Sequence, residues 1–376
     1  MNKLLLPLLL LLFNFGTIRC QINLIWNAEH NGEGDFNDKF ICSARDAQGN
    51  IYAAGSTVNQ GQDRDILVTK LDQNGTFVWR KTINGSASGP DEIQSIALDS
   101  MGNILVTGFI KNDLTTQDIV TIKYNTNGDT LWLKSYDFIS EYDQGNSIQL
   151  DNAGNVYVTG QSDSDPSAFL NDDYVTIKYD SNGNTLWVQR FNGPGNAIDR
   201  SVKIILDNFG GIYITGRSNN GIDDDYVTIK YDNLGNQQWI RFDDRGGRDR
   251  ATGLAICIPG NKIYITGKSD NGNNYDYWTL CYDFNGILLW DQPFDFVEDD
   301  NAIAITADAL GNCYVTGESD ADPSPILNYD FQTVAYDSTG NQLWQSRFAG
   351  LAGNDDSPND LCIINSALYV LDRKST

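Results

Sequence analysis

Short runs of apolar and β-branched residues recur along the chain at a nearly constant interval. The clearest run is Ile-Tyr-Ile-Thr-Gly at 212–216, and similar runs end at Gly55, Gly108, Gly160, Gly267 and Gly317. Tryptophans keep the same interval, 51 to 55 residues, at Trp26, Trp79, Trp132, Trp187, Trp239, Trp290 and Trp344. The runs are rich in strand-favouring residues and are bounded by Gly, Asn and Asp, which favour turns. The pattern therefore predicts an all-β repeat protein.

Each repeat contains four such runs, which we label A to D. In one repeat they are SIALD at 95–99, GNILVTG at 102–108, DIVTIKYN at 118–125 and TLWLKSY at 130–136. Apolar residues often occupy both faces of a run, as in a sheet that packs between two other sheets. Four strands in about 52 residues match the length of a propeller blade. We therefore expect a β-propeller of four-stranded antiparallel blades.

The number of runs predicts the number of blades. The chain opens with a D-type run at Trp26, continues through six complete units, and closes with an A-like run near Leu361 and a B-like run at Tyr369. Seven tryptophans and seven B runs favour seven blades, of which the last is incomplete because its C run is missing. A six-bladed ring with extra strands is the alternative.

The connections between runs predict two different faces. A joins B, and C joins D, through tight turns such as Asp151-x-x-Gly154 and Asp180-x-x-Gly183. The B–C and D–A loops are longer and differ between repeats. Since neighbouring strands run antiparallel, all the longer loops emerge on one face, which we call the variable-loop face. Variable loops on a rigid scaffold commonly carry binding sites.

The repeat also resembles a known family. The residues D-x-V-T-I-K-Y-D followed by N-G-N-x-x-W, with G-N-x-Y-V-T-G in the preceding run, are similar to the beta-propeller repeat family called SBBP. The resemblance covers about residues 21–371. It implies a propeller fold and export from a bacterial cell, and it implies no reaction.

The N-terminus and the charge predict where the protein acts. Lys3 followed by the apolar stretch 4–12 indicates a signal peptide over residues 1–20, so residues 21–376 form a single propeller domain. Arg19 before Cys20 argues against a lipoprotein, and we expect a secreted or cell-surface monomer with no transmembrane segment. After cleavage 24 basic residues face 50 acidic ones. Such a surface repels nucleic acid.

Aspartates recur eight residues before the end of every A run, and they are the candidate metal ligands. They are Asp38, Asp91, Asp143, Asp199, Asp249, Asp300 and Asp356, which we call the A-strand aspartates. If strand A is innermost, they form a ring at the channel mouth that could hold Ca²⁺. The alternative is that each accepts backbone N–H groups from a neighbouring loop and joins two blades. A second series precedes strand C: Asp65, Asp118, Asp173, Asp225, Asp276 and Asp330, the C-strand aspartates.

Residues that occur in only one or two of the repeats are the candidate ligand-binding residues. Arg245, Arg248 and Arg250 occur in one D–A loop, and Arg200 occupies the place of Arg250 in the preceding unit. Arginines bind the carboxylate or sulfate of a sugar or peptide, whereas salt bridges to nearby aspartates are the alternative. Tyr142 is a loop aromatic that could stack on a sugar ring.

Catalytic signatures are scarce in this sequence. His30 is the only histidine, and no nucleophile elbow or phosphate loop occurs in the required strand-to-helix context. We therefore expect an exported scaffold that binds a carbohydrate or protein ligand through its variable-loop face. A calcium-assisted carbohydrate-active enzyme with carboxylates at the channel mouth is the alternative, and a purely structural surface protein is a third hypothesis.

The cysteines allow two interpretations, free thiols or one disulfide. Five remain after residue 20, an odd number that excludes complete intramolecular pairing. Buried free thiols are one interpretation, and a Cys42–Cys362 disulfide across a closed ring is the other.

Overall fold

The computed structural model describes residues 11–12, 19–20, 38–58, 63–112, 116–139, 142–164, 171–320, 329–348 and 356–374. Within these residues all regular secondary structure is β-strand. Six four-stranded antiparallel sheets follow one another, and a two-stranded sheet comes last. The prediction of an all-β propeller with four-stranded blades and an incomplete last blade is confirmed. The predicted strand at Trp26 lies outside the described residues.

The blades are numbered 1 to 7 in chain order. Blades 1 to 6 each contain four consecutive strands, A to D, and blade 7 contains the last two. A short pair precedes them, formed by β1 (Leu11–Leu12) and β2 (Arg19–Cys20). The strands of blades 1 to 3 are β3 Lys39–Arg45, β4 Ile51–Val58, β5 Arg64–Leu71, β6 Phe77–Ile83, β7 Glu92–Leu98, β8 Ile104–Ile110, β9 Asp118–Tyr124, β10 Thr130–Tyr136, β11 Asp143–Leu150, β12 Val156–Asp163, β13 Asp172–Tyr179 and β14 Thr185–Phe191. Those of blades 4 to 7 are β15 Asp199–Leu206, β16 Ile212–Asn219, β17 Asp224–Tyr231, β18 Gln237–Asp243, β19 Asp249–Cys257, β20 Lys262–Asp270, β21 Tyr275–Asp283, β22 Leu288–Phe294, β23 Asp300–Ala307, β24 Cys313–Asp320, β25 Tyr329–Tyr336, β26 Gln342–Phe348, β27 Asp356–Ile364 and β28 Ala367–Lys374.

Strand A is the inner strand of each blade and strand D the outer one. Consecutive A strands pack against each other, from β3 and β7 to β23 and β27. Strands B and C are buried on both faces, as in β8 and β9. Strand D alternates between exposed and half-buried residues, as in β6. The A strands, with the A-strand aspartates near their starts, therefore lie on the inner side of the blades.

The hydrophobic core lies in the joints between blades. One cluster joins Tyr52 and Ile66 of blade 1 to Val106 and Ile122 of blade 2. The next cluster joins blade 2 to blade 3 in the same way, and the arrangement repeats as far as β27 and β28. Because each blade buries both faces against its neighbours, one blade alone cannot bury its apolar surface.

The predicted Asp-x-x-Gly turns are stabilised by the aspartate side chain and by a glycine of positive φ. The Asp151 Oδ1 accepts the N–H groups of Ala153 and Asn155, both at 2.9 Å, and the Gly154 N–H donates to the Asp151 carbonyl at 3.0 Å. Gly154 has a φ of +80°, which an L side chain rarely adopts. These aspartates are thus used by the turns themselves.

Cys42, Cys257, Cys281, Cys313 and Cys362 are free thiols. Cys42 and Cys362 are half-buried and are not bonded to each other. Burial raises the pKa of Cys42 to about 12, so this thiol stays protonated at neutral pH. Of the two interpretations, the structure therefore agrees with free thiols and not with a Cys42–Cys362 disulfide.

Candidate functional site

Four basic side chains meet at the inner end of blades 4 and 5. Arg200 on β15 pairs across the sheet with Arg217 on β16, and Arg250 on β19 pairs with Lys268 on β20. We call these four residues the basic cluster. Cross-strand partners stand side by side, so like charges here repel unless acids compensate them. The positions adjoin the D–A and B–C loops and therefore belong to the variable-loop face.

Two buried aspartates hold the basic cluster in place. The Arg200 Nε donates to the Asp172 Oδ2 at 2.7 Å, and the Arg250 Nε donates to the Asp224 Oδ2 at 2.7 Å. The Arg217 Nη1 donates to the same Asp224 oxygen at 3.0 Å. Asp172 and Asp224 begin strand C of blades 3 and 4. Arg200 and Arg250 thus each reach back to the preceding blade.

The basic cluster keeps positive character despite these ion pairs. Burial lowers the pKa of Arg217, and the charges of Arg250 and Arg200 lower it further. Burial likewise lowers the pKa of Lys268, with Arg250 again contributing. The side chains of Arg200 and Arg250 are 31% and 33% exposed, and their ion pairs use only Nε. In the part of the chain that the structure describes, their Nη groups donate no hydrogen bond to an acid, which leaves donors for an anionic ligand.

The other predicted ligand-binding residues lie elsewhere. The Arg245 guanidinium lies 5.6 Å from the Trp278 ring centroid, a cation–π contact within blade 5. Arg248 is exposed, and its carbonyl accepts the Asp270 N–H at 3.1 Å. Tyr142 is 53% exposed and forms a bridge with Gln117, between blades 2 and 3. Arg217 and Lys268 were missed, although each directly follows the glycine that ends the B run.

The A-strand aspartates accept hydrogen bonds from the loop that enters their blade. The donors are backbone N–H groups: Gly85 to Asp91 at 2.6 Å, Phe138 to Asp143 at 3.1 Å, Gly193 to Asp199 at 2.5 Å, Arg245 to Asp249 at 2.7 Å and Phe296 to Asp300 at 2.7 Å. Asp38 accepts the N–H of Val58 at 3.0 Å, and Asp356 begins β27. The bonds to Asp91, Asp143, Asp199, Asp249 and Asp300 tie the D–A loop to the next A strand.

Five of the A-strand aspartates, Asp91, Asp199, Asp249, Asp300 and Asp356, also lie near a C-strand aspartate of the preceding blade. Burial raises the pKa of Asp199 to about 6, and the charge of Asp173 adds to the rise. Burial and then other acids, Asp225 among them, raise the pKa of Asp249 to about 6. Asp276 acts in the same direction on Asp300, whose pKa burial raises to about 7. The two aspartate series thus converge pairwise at the blade joints.

Stability should fall as the pH rises from about 4 to 7, and Asp143→Asn should reduce that fall. Burial raises the pKa of Asp143 from 3.8 to about 7. Between these values the folded state holds a proton that the unfolded state has lost, so unfolding becomes easier as pH increases, by at most about 1.4 kcal/mol per pH unit for one group. Urea titrations at several pH values measure the slope.

Asp180→Asn is the control for this experiment. Asp180 is a turn residue whose pKa is lowered by hydrogen bonds from the Asn184 side chain and backbone. Its contribution to stability is lost only below about pH 4, so the slope between pH 4 and 7 should not change. Equal slopes in wild type and Asp143→Asn would contradict the assignment of the proton to Asp143.

Comparisons with known proteins agree with this architecture. Residues 139–166 match the SBBP family, described as a beta-propeller repeat, which confirms the resemblance at these residues. The Neurospora crassa Pan2 WD40 domain is similar in structure, with a TM-score of 0.54, 10% identity and coverage of 90% of each chain. Saccharomyces cerevisiae Sqt1 has a TM-score of 0.53 and 10% identity, covering 89% of this chain and 84% of that one. The chain therefore has a β-propeller fold, and its residues 139–166 match the SBBP repeat.

One curated relative matches in sequence. It is a WD repeat-containing protein of Acanthamoeba polyphaga mimivirus, 26% identical over 204 residues. The match covers 41% of this chain but only 14% of the relative. In the described residues no helix has the length and hydropathy to span a membrane.

Proposed function

We propose that this chain is an exported interaction scaffold that binds a protein ligand through its variable-loop face. The basic cluster is the contact for a carboxylate on that ligand. The observation that carries the proposal is the pair of partly exposed arginines, Arg200 and Arg250, which are fixed through Nε by buried aspartates of neighbouring blades. Fixed guanidinium groups bind a carboxylate through parallel N–H bonds, at a low entropic cost.

The surroundings of the basic cluster favour a peptide over a sugar. Tyr275 lies beside the cluster, and the Lys268 ammonium lies 4.4 Å from its ring centroid. That face of Tyr275 is therefore covered and does not offer a stacking surface for a sugar ring. The overall charge of −24 repels polyanions, so the ligand should carry single carboxylates in a neutral or basic segment.

The enzyme alternative gains no support from the paired aspartates. A glycoside hydrolase needs one carboxyl group with a raised pKa and a second that stays ionised. Burial raises the pKa of Asp225 and of Asp249 alike, each to about 6. The two groups are therefore not separated into an acid and a nucleophile.

Replacing both arginines should abolish binding of carboxylate-bearing peptides. We expect an array of basic peptides with single Asp or Glu residues to yield ligands for the wild type. For the best peptide, Arg200→Gln with Arg250→Gln should weaken binding by 100-fold or more, because charge-assisted hydrogen bonds contribute about 1.5–3 kcal/mol each. Fluorescence anisotropy with labelled peptide measures the dissociation constants.

Two controls make the result specific. Arg80→Gln removes an arginine from the outer strand of blade 1, where its guanidinium lies over Phe77, and should leave peptide affinity unchanged. Replacing the peptide carboxylate by an amide should weaken wild-type binding as much as the double substitution does. Undiminished binding by the double variant, or hits on a glycan array alone, would refute a peptide site at the basic cluster.

A further inference from the structure

Three carboxylates converge at each of two blade joints. Among the described residues, two such groups occur: Asp225, Asp244 and Asp249 between blades 4 and 5, and Asp276, Asp295 and Asp300 between blades 5 and 6. In each group one carboxylate oxygen per residue lies within 4.8 Å of the other two. Each group combines a C-strand aspartate, an exposed aspartate of the D–A loop, and the A-strand aspartate of the next blade.

Buried oxygens in both groups have no hydrogen-bond partner. Asp225 is 5% exposed and Asp249 is fully buried, yet the Oδ1 atom of each accepts no hydrogen bond. Ser269 lies across the strand pair from Asp249, and a hydrogen bond from its hydroxyl favours the ionised form of that carboxyl. In the second group the buried Asp300 Oδ1 likewise accepts no well-aligned hydrogen bond. Buried oxygens without partners are costly in a protein, and a bound cation would satisfy them.

We propose that each of these two groups binds a divalent cation of the Ca²⁺ type that joins one blade to the next. Three oxygens about 4.5 Å apart can all lie at the Ca²⁺–oxygen distance of about 2.6 Å from a common ion, so oxygens within 4.8 Å of one another need to approach by at most about 0.3 Å. All the available donors are oxygens, which suit Ca²⁺ rather than zinc or copper. The loop aspartates, Asp244 and Asp295, are exposed, so water can complete the coordination. Asp249 and Asp300 thus act in joints between blades rather than in a ring of seven on the axis.

The joint of blades 3 and 4 differs from these two sites in its loop residue and its ion pair. At the joint of blades 3 and 4 the loop position is Asn192, and the Arg190 Nη2 already pairs with Asp173 at 3.1 Å. A cation there would replace an existing ion pair and would have one carboxylate fewer.

Calcium titration of the full chain tests the proposal directly. Isothermal titration calorimetry of chelator-treated protein with CaCl₂ at pH 7.5 should show micromolar binding that Mg²⁺ does not match. Asp249→Asn should remove one bound Ca²⁺ per chain, and Asp249→Asn with Asp300→Asn should remove two. Asp199→Asn, at the joint of blades 3 and 4, should leave the number of bound ions unchanged.

A second variant protects the test against misfolding. Asp244 is exposed in its loop, and Asp244→Asn should fold normally while weakening one site at least tenfold. Circular dichroism verifies the fold of each variant. The proposal is overturned if wild type binds no Ca²⁺ below millimolar concentration, or if Asp244→Asn and Asp249→Asn both bind Ca²⁺ as wild type does.

Discussion

Gly108→Ala is expected to destabilise the protein by at least about 3 kcal/mol, the upper range for an overpacked interior. A Cβ at this position would lie 2.0 Å from the Glu92 carbonyl oxygen and 2.8 Å from the Ile93 Cα. Both atoms belong to the backbone of β7, which cannot rotate away as a side chain would. The register of β7 against β8 shifts just beyond Ile93, so the neighbouring strand is already bulged at this point.

Gly260→Ala is the matched control, and urea unfolding is the measurement. A Cβ on Gly260 would meet the Cys257 Sγ at 3.2 Å and otherwise lies at ordinary contact distance. Its free energy of unfolding should change by less than about 1 kcal/mol. If Gly108→Ala proved as stable as Gly260→Ala, the close approach of strands A and B would not explain the recurring glycine.

The glycine at the end of strand B can be recognised in the sequence, but the reason for it cannot. Its period is visible in the sequence and predicts the blades, but its cause is a carbonyl group on another strand. In the other five four-stranded blades the equivalent Cβ would lie 1.9–2.1 Å from the A-strand carbonyl oxygen, at Gly55, Gly160, Gly216, Gly267 and Gly317. A local pattern can mark such a position, whereas only the paired strands explain it.

The strand bounds also divide into those that local sequence determines and those that contacts with another blade determine. The D run predicted at 130–136 coincides with β10, Thr130–Tyr136, because its ends are set by local turns. The A run predicted from 95 begins at Glu92 in the structure. Glu92 is polar and does not extend the apolar run, but it is held by the Ser56 hydroxyl at 3.0 Å and by Arg64 at 3.3 Å. Contacts with the preceding blade, rather than propensity, determine where this strand starts.

The candidate site was predicted only in part. Arg200 and Arg250 stand out in the sequence because they break the repeat, while Arg217 and Lys268 look like ordinary surface residues of strand B. Antiparallel pairing of strands A and B would have placed them beside the two arginines. The meeting of Asp225 with Asp249 depends on how one blade docks on the next, and no pattern within a single repeat specifies that geometry. Export, the signal peptide and the single-domain assignment remain predictions.

Tyr174→Ala should lower the free energy of unfolding by about 4 kcal/mol, since truncating a buried aromatic leaves a large cavity. Tyr174 is 2% exposed, and its ring centroid lies 5.4 Å from that of Phe191. The side chain belongs to the cluster that joins blades 3 and 4, with Ile214 and Ile229. Its hydroxyl donates to the Val227 carbonyl of blade 4 at 3.4 Å, so one residue links the blades by packing and by a hydrogen bond.

Tyr174→Phe separates these two contributions. A neutral hydrogen bond contributes about 1 kcal/mol, so the phenylalanine variant should lose about a quarter of what the alanine variant loses in urea unfolding. Blades 1, 2 and 6 already carry Ile66, Ile119 and Phe331 at this position, all buried and without a hydroxyl. Packing must therefore suffice at those joints. If Tyr174→Phe were as destabilising as Tyr174→Ala, the hydroxyl would dominate the joint of blades 3 and 4, and apolar packing would not be the main force that holds these two blades together.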